Sequence, residues 1–228
     1  MTLTQANLPI DAIVEQMRRK YPDWEGFDHP HFNRWKRVDA LRACEEAAEL
    51  LNRRELDRLY HAGAYDEFLL RFRRVGRILL DNPGQNAGSG DFRMLEGAAG
   101  NAPSFCTALI DLLHGTEDSS ERLYRFQRYC EAMSLPAFWG FPTHFLFVSD
   151  PEHNFLVKPK MVSCFLQLIG SPLMLTKYPD AACYRNVVTL MLRLKEEMDS
   201  YGPRDMLDIF GLVSSVYDIL SGNRRGVR

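Results

Sequence analysis

The sequence predicts an all-α fold: a compact multi-helix orthogonal bundle with at most a short extended segment. Three observations lead there. Apolar residues recur at three- and four-residue steps in window after window. Capping acids, glycines and prolines punctuate those windows at helical lengths. No apolar/polar alternation is long enough to build a sheet, and no repeat of fixed period is present.

The first window holds Val38, Leu41, Cys44, Ala48 and Leu51, within a charge-rich helix expected from about Phe32 into the Arg53–Arg58 region. Tyr65, Phe68, Leu69, Phe72, Val75 and Leu79 form the next stripe, with Arg71, Arg73, Arg74 and Arg77 in the remaining positions. Asp81 to Gly90 then reads as a loop, because Pro83, Gly84, Gly88 and Gly90 remove helix propensity and Asn82 and Asn86 favour turns. It is read as a hinge between an N-terminal helical part and a C-terminal body, inside a single domain spanning residues 1–228.

Phe105, Ala108, Leu109, Leu112 and Leu113 predict a short helix stopped by Gly115. Asp118, with Glu121 three residues on, predicts an N-terminal cap for a helix carrying Leu123, Phe126, Cys130 and Met133. Pro136 to Val148 is almost wholly apolar, so a helix there belongs at the centre of the core. Asp150-Pro151 turns the chain, and Asn154 to Val157 is the candidate extended piece before Lys158-Pro159. Asp180 is expected to cap a helix with Cys183, Val187, Val188, Met191, Leu194 and Met198, ended by Gly202. Pro203 is placed in the first turn of the last helix, whose residues from Met206 to Leu220 are apolar on most sides and therefore buried.

A net charge of −2 and a pI near 6.3 exclude a globally basic nucleic-acid binder, although a local basic patch survives balanced totals. The five cysteines (Cys44, Cys106, Cys130, Cys164, Cys183) are odd in number and never at C-x-x-C spacing. That pattern predicts reduced thiols in a reducing compartment, with Cys44 the most exposed. Met1 to Ile10 lacks a basic region followed by an apolar run, so no secretory signal is expected there. The apolar stretches 138–148 and 206–220 are interrupted and fall short of the roughly 18–20 apolar residues of a spanning helix. The expected location is cytoplasmic, with no membrane association.

The candidate nucleic-acid-binding residues are Arg34, Arg37, Arg73, Arg74 and Arg77, drawn from a wider basic set in the N-terminal third. Phosphate neutralisation needs such cations on one face, and Trp35 or Tyr60 could add stacking. Against this, acids are interleaved, and spacings such as Glu49–Arg53 and Glu67–Arg71 favour helix-surface ion pairs. A solvated, internally paired face is the simpler expectation unless the arginines converge.

A second cluster, Lys158, Lys160, Asp205 and Asp208, has the residue types of base-excision chemistry, in which an amine attacks a sugar carbon beside a carboxylate. No Leu-Pro-Gly-Val-Gly hairpin precedes either lysine. The two aspartates are equally explained as acids complementing the dipole of the last helix. His29-Pro-His31 supplies two imidazoles without further ligands, so no metal is expected. His114 is expected as a cation at a helix C-terminus, His144 as a hydrogen-bonded core histidine, and His153 in a turn. The glycines at 84, 88 and 90 make no phosphate-binding loop, and Ser104, Ser163 and Ser214 lack a nucleophile-elbow context. No cofactor is expected.

Several pieces carry a family resemblance: Gly90-Asp-Phe-Arg-Met-Leu-Glu96, Ala108-Leu-Ile-Asp-Leu-Leu-His-Gly115, Glu121-Arg-Leu-Tyr-Arg-Phe126, His144-Phe-Leu-Phe-Val-Ser-Asp-Pro151, Phe155-Leu-Val-Lys-Pro159 and Gly202-Pro-Arg-Asp-Met-Leu-Asp208. In this order they resemble a widespread group of bacterial helical proteins, and distantly the helical modules that precede motor domains in modification-dependent restriction enzymes. The resemblance starts at Ser89 and does not reach the region before Asp81. After Asp208 the chain departs from it, with Ile-Phe-Gly-Leu-Val-Ser-Ser in place of a polar, Trp-containing continuation. It implies a DNA-associated or antiviral-defence role without fixing a reaction.

The functional expectation is a non-catalytic helical module that binds DNA or a partner subunit in a bacterial defence or DNA-processing setting, with enzymatic activity left open. The alternatives are a DNA-base-processing enzyme of the helical glycosylase type, and a structural oligomerisation protein presenting Phe138, Trp139, Phe141 and Phe145 as an aromatic surface.

Overall fold

Gly140-Phe-Pro-Thr-His-Phe-Leu-Phe-Val148 has no polar stripe, and a helix of that composition is stable in water only when surrounded by others. The computed structural model describes residues 7–32, 37–79, 93–136 and 138–222, and it places this segment accordingly. Helix α9, Gly140–Ser149, is buried along its length from Gly140 to Val148.

Around α9 pack α3 (Val38–Leu50), α5 (Tyr65–Gly76), α7 (Ala102–His114) and α8 (Ser119–Ala132). The rings of Phe72 and Phe145 lie 4.8 Å apart and those of Phe141 and Phe145 4.9 Å. Each fully buried phenyl group contributes about 1.5–3 kcal/mol relative to exposure. The last helix, α12 (Met206–Leu220), contacts α1 (Ile10–Lys20), α10 (Pro159–Leu168) and α11 (Ala181–Glu197). Three shorter helices complete the set: α2 (Pro30–Phe32), α4 (Arg53–His61) and α6 (Arg93–Gly97).

Among the described residues every regular element is a helix, which agrees with the all-α expectation. One buried apolar cluster extends from Ile13 to Val216. No helix among these residues is long and apolar enough to cross a membrane.

Two of the expected caps are present. Asp118 accepts from the amides of Ser120 and Glu121 at 2.9 and 3.3 Å, and Asp180 from that of Cys183 at 2.8 Å. Other expectations need correction. The helix expected from Phe32 through Arg58 is broken at Asn52. Its Oδ1 accepts from the Glu55 amide at 3.1 Å while its Nδ2 donates to the Glu49 carbonyl at 2.8 Å. One side chain thus closes α3 and opens α4, as asparagine does more readily than it continues a helix. Pro203 precedes α12 rather than entering it, because Asp205 is the N-cap and accepts from the Leu207 and Asp208 amides.

Asn154 to Val157 is buried yet pairs in no sheet, so side chains satisfy its backbone. Phe155 N donates to Tyr184 Oη at 3.2 Å and Val157 N to Thr143 Oγ1 at 3.0 Å. Of the proposed aromatic surface only Phe138 is open, at 44% exposure; Trp139, Phe141 and Phe145 are core. The Asp81–Gly90 hinge lies outside the described residues.

Helix α1 was not anticipated, although Ile10, Ile13, Val14 and Met17 carry the period that makes it. The chain after it packs tightly on the 3₁₀ turn Asp199–Tyr201. Trp24 stacks on Tyr201 with centroids 5.4 Å apart, and Phe27 N donates to the Tyr201 carbonyl at 3.0 Å. A Cβ on Gly26 would lie 2.5 Å from that carbonyl oxygen. Gly26→Ala is therefore expected to destabilise the protein by about 1–3 kcal/mol through overpacking. A urea denaturation midpoint unchanged from wild type would contradict this close approach.

Candidate nucleic-acid interface

Helices α4 and α5 form a hairpin through Ala62–Ala64, where Gly63 takes φ +67°, a left-handed conformation that suits glycine. Phe68, Phe72 and Val75 turn one side of α5 into the core, which leaves its arginines on the other sides. They divide by what they meet. Arg71 is a structural residue: it bonds Glu55 and Glu67, both at 3.2 Å, and the Leu50 carbonyl at 3.4 Å. Arg74 meets Glu46 at 3.2 Å but stays 63% exposed, so that pair adds little stability and is readily exchanged.

Arg73 and Arg77 have no carboxylate partner among the described residues. Arg77 caps the C-terminus of α5 in helical conformation, four positions after Arg73, so the two lie on one side of it. Leu70, 57% exposed, sits one turn before Arg73 on that side.

Arg37 is placed elsewhere. Its Nη1 donates to Asp205 Oδ1 at 2.7 Å and to Asp208 Oδ1 at 2.9 Å, and its Nη2 to Asp205 Oδ2 at 2.6 Å. Arg204 closes the same cluster, with Nε on Asp208 Oδ2 at 2.8 Å and Nη2 on Asp208 Oδ1 at 2.9 Å. The hydrogen bonds that Arg37 donates to Asp205 raise its pKa. At Asp205 burial opposes ionisation, but the Arg37 contacts outweigh it and hold the carboxyl below its usual range. Arg37 thus fastens the start of α3 to the start of α12. Arg34 lies outside the described residues.

No family model, curated protein or solved structure matches this chain.

The lysine–aspartate pairing of the enzymatic alternative is not formed. Lys158 Nζ donates to the Leu79 carbonyl at 2.9 Å, and no ion pair joins it to Asp205 or Asp208, which the two arginines hold. Among the described residues no three His, Cys, Asp or Glu side chains are grouped to hold a metal. His29 bonds Asp23 at 3.1 Å.

Two histidines differ from expectation. His114 meets the Leu51 carbonyl at 2.8 Å, and burial lowers its pKa, so at neutral pH it is no cation. Arg122 takes the expected place at the end of α7, donating to the carbonyls of Leu112 and Leu113. His144 is in the core, but neither ring nitrogen reaches a hydrogen-bond partner. Burial, aided by the Lys158 ammonium, depresses its pKa from 6.5 to about 3. A marginal backbone interaction with Val75 opposes this without reaching hydrogen-bond geometry.

Proposed function

We propose that the chain is a helical binding module that engages the phosphate backbone of nucleic acid through α5, with Arg73 and Arg77 as principal contacts and Arg74 as an exchangeable third. The supporting observation is the last turn of α5, where the half-buried Arg73 and the exposed Arg77 meet no carboxylate among the described residues. Phosphate oxygens are the acceptors such groups attract, and contacts of this kind position a nucleic acid without reading its sequence. The DNA-processing or defence setting follows from the resemblance of the later segments. A reducing, cytoplasmic location suits five unpaired thiols.

The test is fluorescence anisotropy with duplex and single-stranded oligonucleotides across a salt series. Binding should weaken with salt, and Arg73→Gln with Arg77→Gln should lower the log–log slope by about 2, one for each lost phosphate contact. An absence of salt-sensitive binding at low ionic strength would overturn the proposal.

A protein partner is the second reading, favoured by a groove of about 360 Å³ lined by Leu135, Pro136, Phe138 and Tyr178. The two rings there remain exposed, and interface cores are enriched in such aromatics. A strictly monomeric mass in solution would count against self-association through this groove.

A further inference from the structure

A second candidate site lies away from α5, in the cleft between the start of α8, the Asp150 turn and α11. Its volume is about 510 Å³, within the range of small-molecule sites. Arg122, Arg185 and His153 reach its wall from three separate elements.

Arg122 is the informative member. It is half-buried, and no carboxylate lies within ion-pair distance of it among the described residues. Its Nη1 is engaged by two neutral carbonyls at the end of α7. Its Nε is enclosed without an acceptor, whereas Nη2 makes no hydrogen bond and is not enclosed. Capping α7 therefore uses part of this guanidinium and leaves Nη2, which is not fully enclosed, without a hydrogen bond. A partly desolvated charge with a free donor at a cavity wall attracts an anion.

The neighbouring groups are compatible with one. Arg185 is 52% exposed and held by Glu121 at 3.0 Å and Asp118 at 3.5 Å, a solvent-screened arrangement that is easily redirected. The acids of the wall already have internal donors. Asp118 Oδ1 accepts the first amides of α8, and both Asp150 oxygens face the His153 ring. Thr189, one turn after Arg185 on α11, adds a hydroxyl to the lining.

We propose that this cleft binds the oxyanion head, phosphate or carboxylate, of a small polar molecule, with Arg122 Nη2 and Arg185 as its donors. The test is an NMR titration of the full chain at fixed ionic strength, with inorganic phosphate in one arm and malonate in the other. Saturable shifts are expected on the amides of Ser119, Ser120 and Thr189, and the arm that saturates at lower concentration identifies the oxyanion. Arg185→Glu should weaken binding at least tenfold. It is the decisive variant, because Arg122→Ala also removes the α7 cap and can fail to fold. Arg73→Gln with Arg77→Gln should leave these shifts intact, which separates this site from the α5 surface. Shifts that grow linearly in both arms, or that persist in Arg185→Glu, would overturn the proposal.

Discussion

Asp208→Ala is expected to lower the unfolding free energy by about 3–5 kcal/mol, the range for breaking a buried ion pair from one side. Asp208 is 0% exposed and receives Arg37 Nη1, Arg204 Nε and Nη2, and the Arg204 amide. Removing the carboxylate takes away the bonds that the Arg204 amide and guanidinium make to it and deprives Arg37 of one of its two acids. Arg37→Ala should cost less, because Asp208 keeps Arg204. Chemical denaturation of the three proteins checks the order. A loss below about 1 kcal/mol for Asp208→Ala, typical of an exposed pair, would show that the cluster is solvated and does not fasten α3 to α12.

Acid should destabilise the protein through His144. The unfolded imidazole takes up a proton below 6.5, whereas the buried one resists until about 3. The unfolded state therefore binds more protons across that window, and stability falls as pH falls through it; above 6.5 the contribution of the neutral ring is complete. The slope is about 1.4 kcal/mol per pH unit, so lowering the pH to 4.5 should remove about 3 kcal/mol. His114, whose pKa burial also lowers, adds in the same direction, and His153, raised by Asp150, acts in the opposite one. His144→Leu isolates the effect, since its packing cost is common to both pH values. Equal losses in wild type and variant between pH 7 and 4.5 would remove His144 from the account.

Much of the architecture was legible because it rests on local periodicity. The stripe Phe68–Phe72–Val75, the caps Asp118 and Asp180 and the apolar run that becomes α9 each follow from spacings of a few residues. The break at Asn52 was hidden by an apolar pattern that continues across it, although asparagine followed by Glu55 three positions on is itself a cap signal.

The site was less legible, for a reason of distance. Arg37 stands 168 residues from Asp205 and 171 from Asp208, and nothing in its neighbourhood distinguishes a clamp residue from a phosphate-binding one. Arg73 and Arg74 are adjacent in sequence, yet only Arg74 faces a glutamate on another helix. No local pattern in the sequence singles out Arg122, because its neighbours, the carbonyls at the end of α7 and the cleft beside α11, are assembled only by the fold.

The most direct measurement of the functional proposal is hydrogen exchange of the intact chain with and without a saturating duplex oligonucleotide at low salt. Slower exchange centred on the second half of α5, reversed by added salt, is the predicted result. Protection confined to the α3–α12 clamp or to the Phe138 groove, with α5 unchanged, would contradict it.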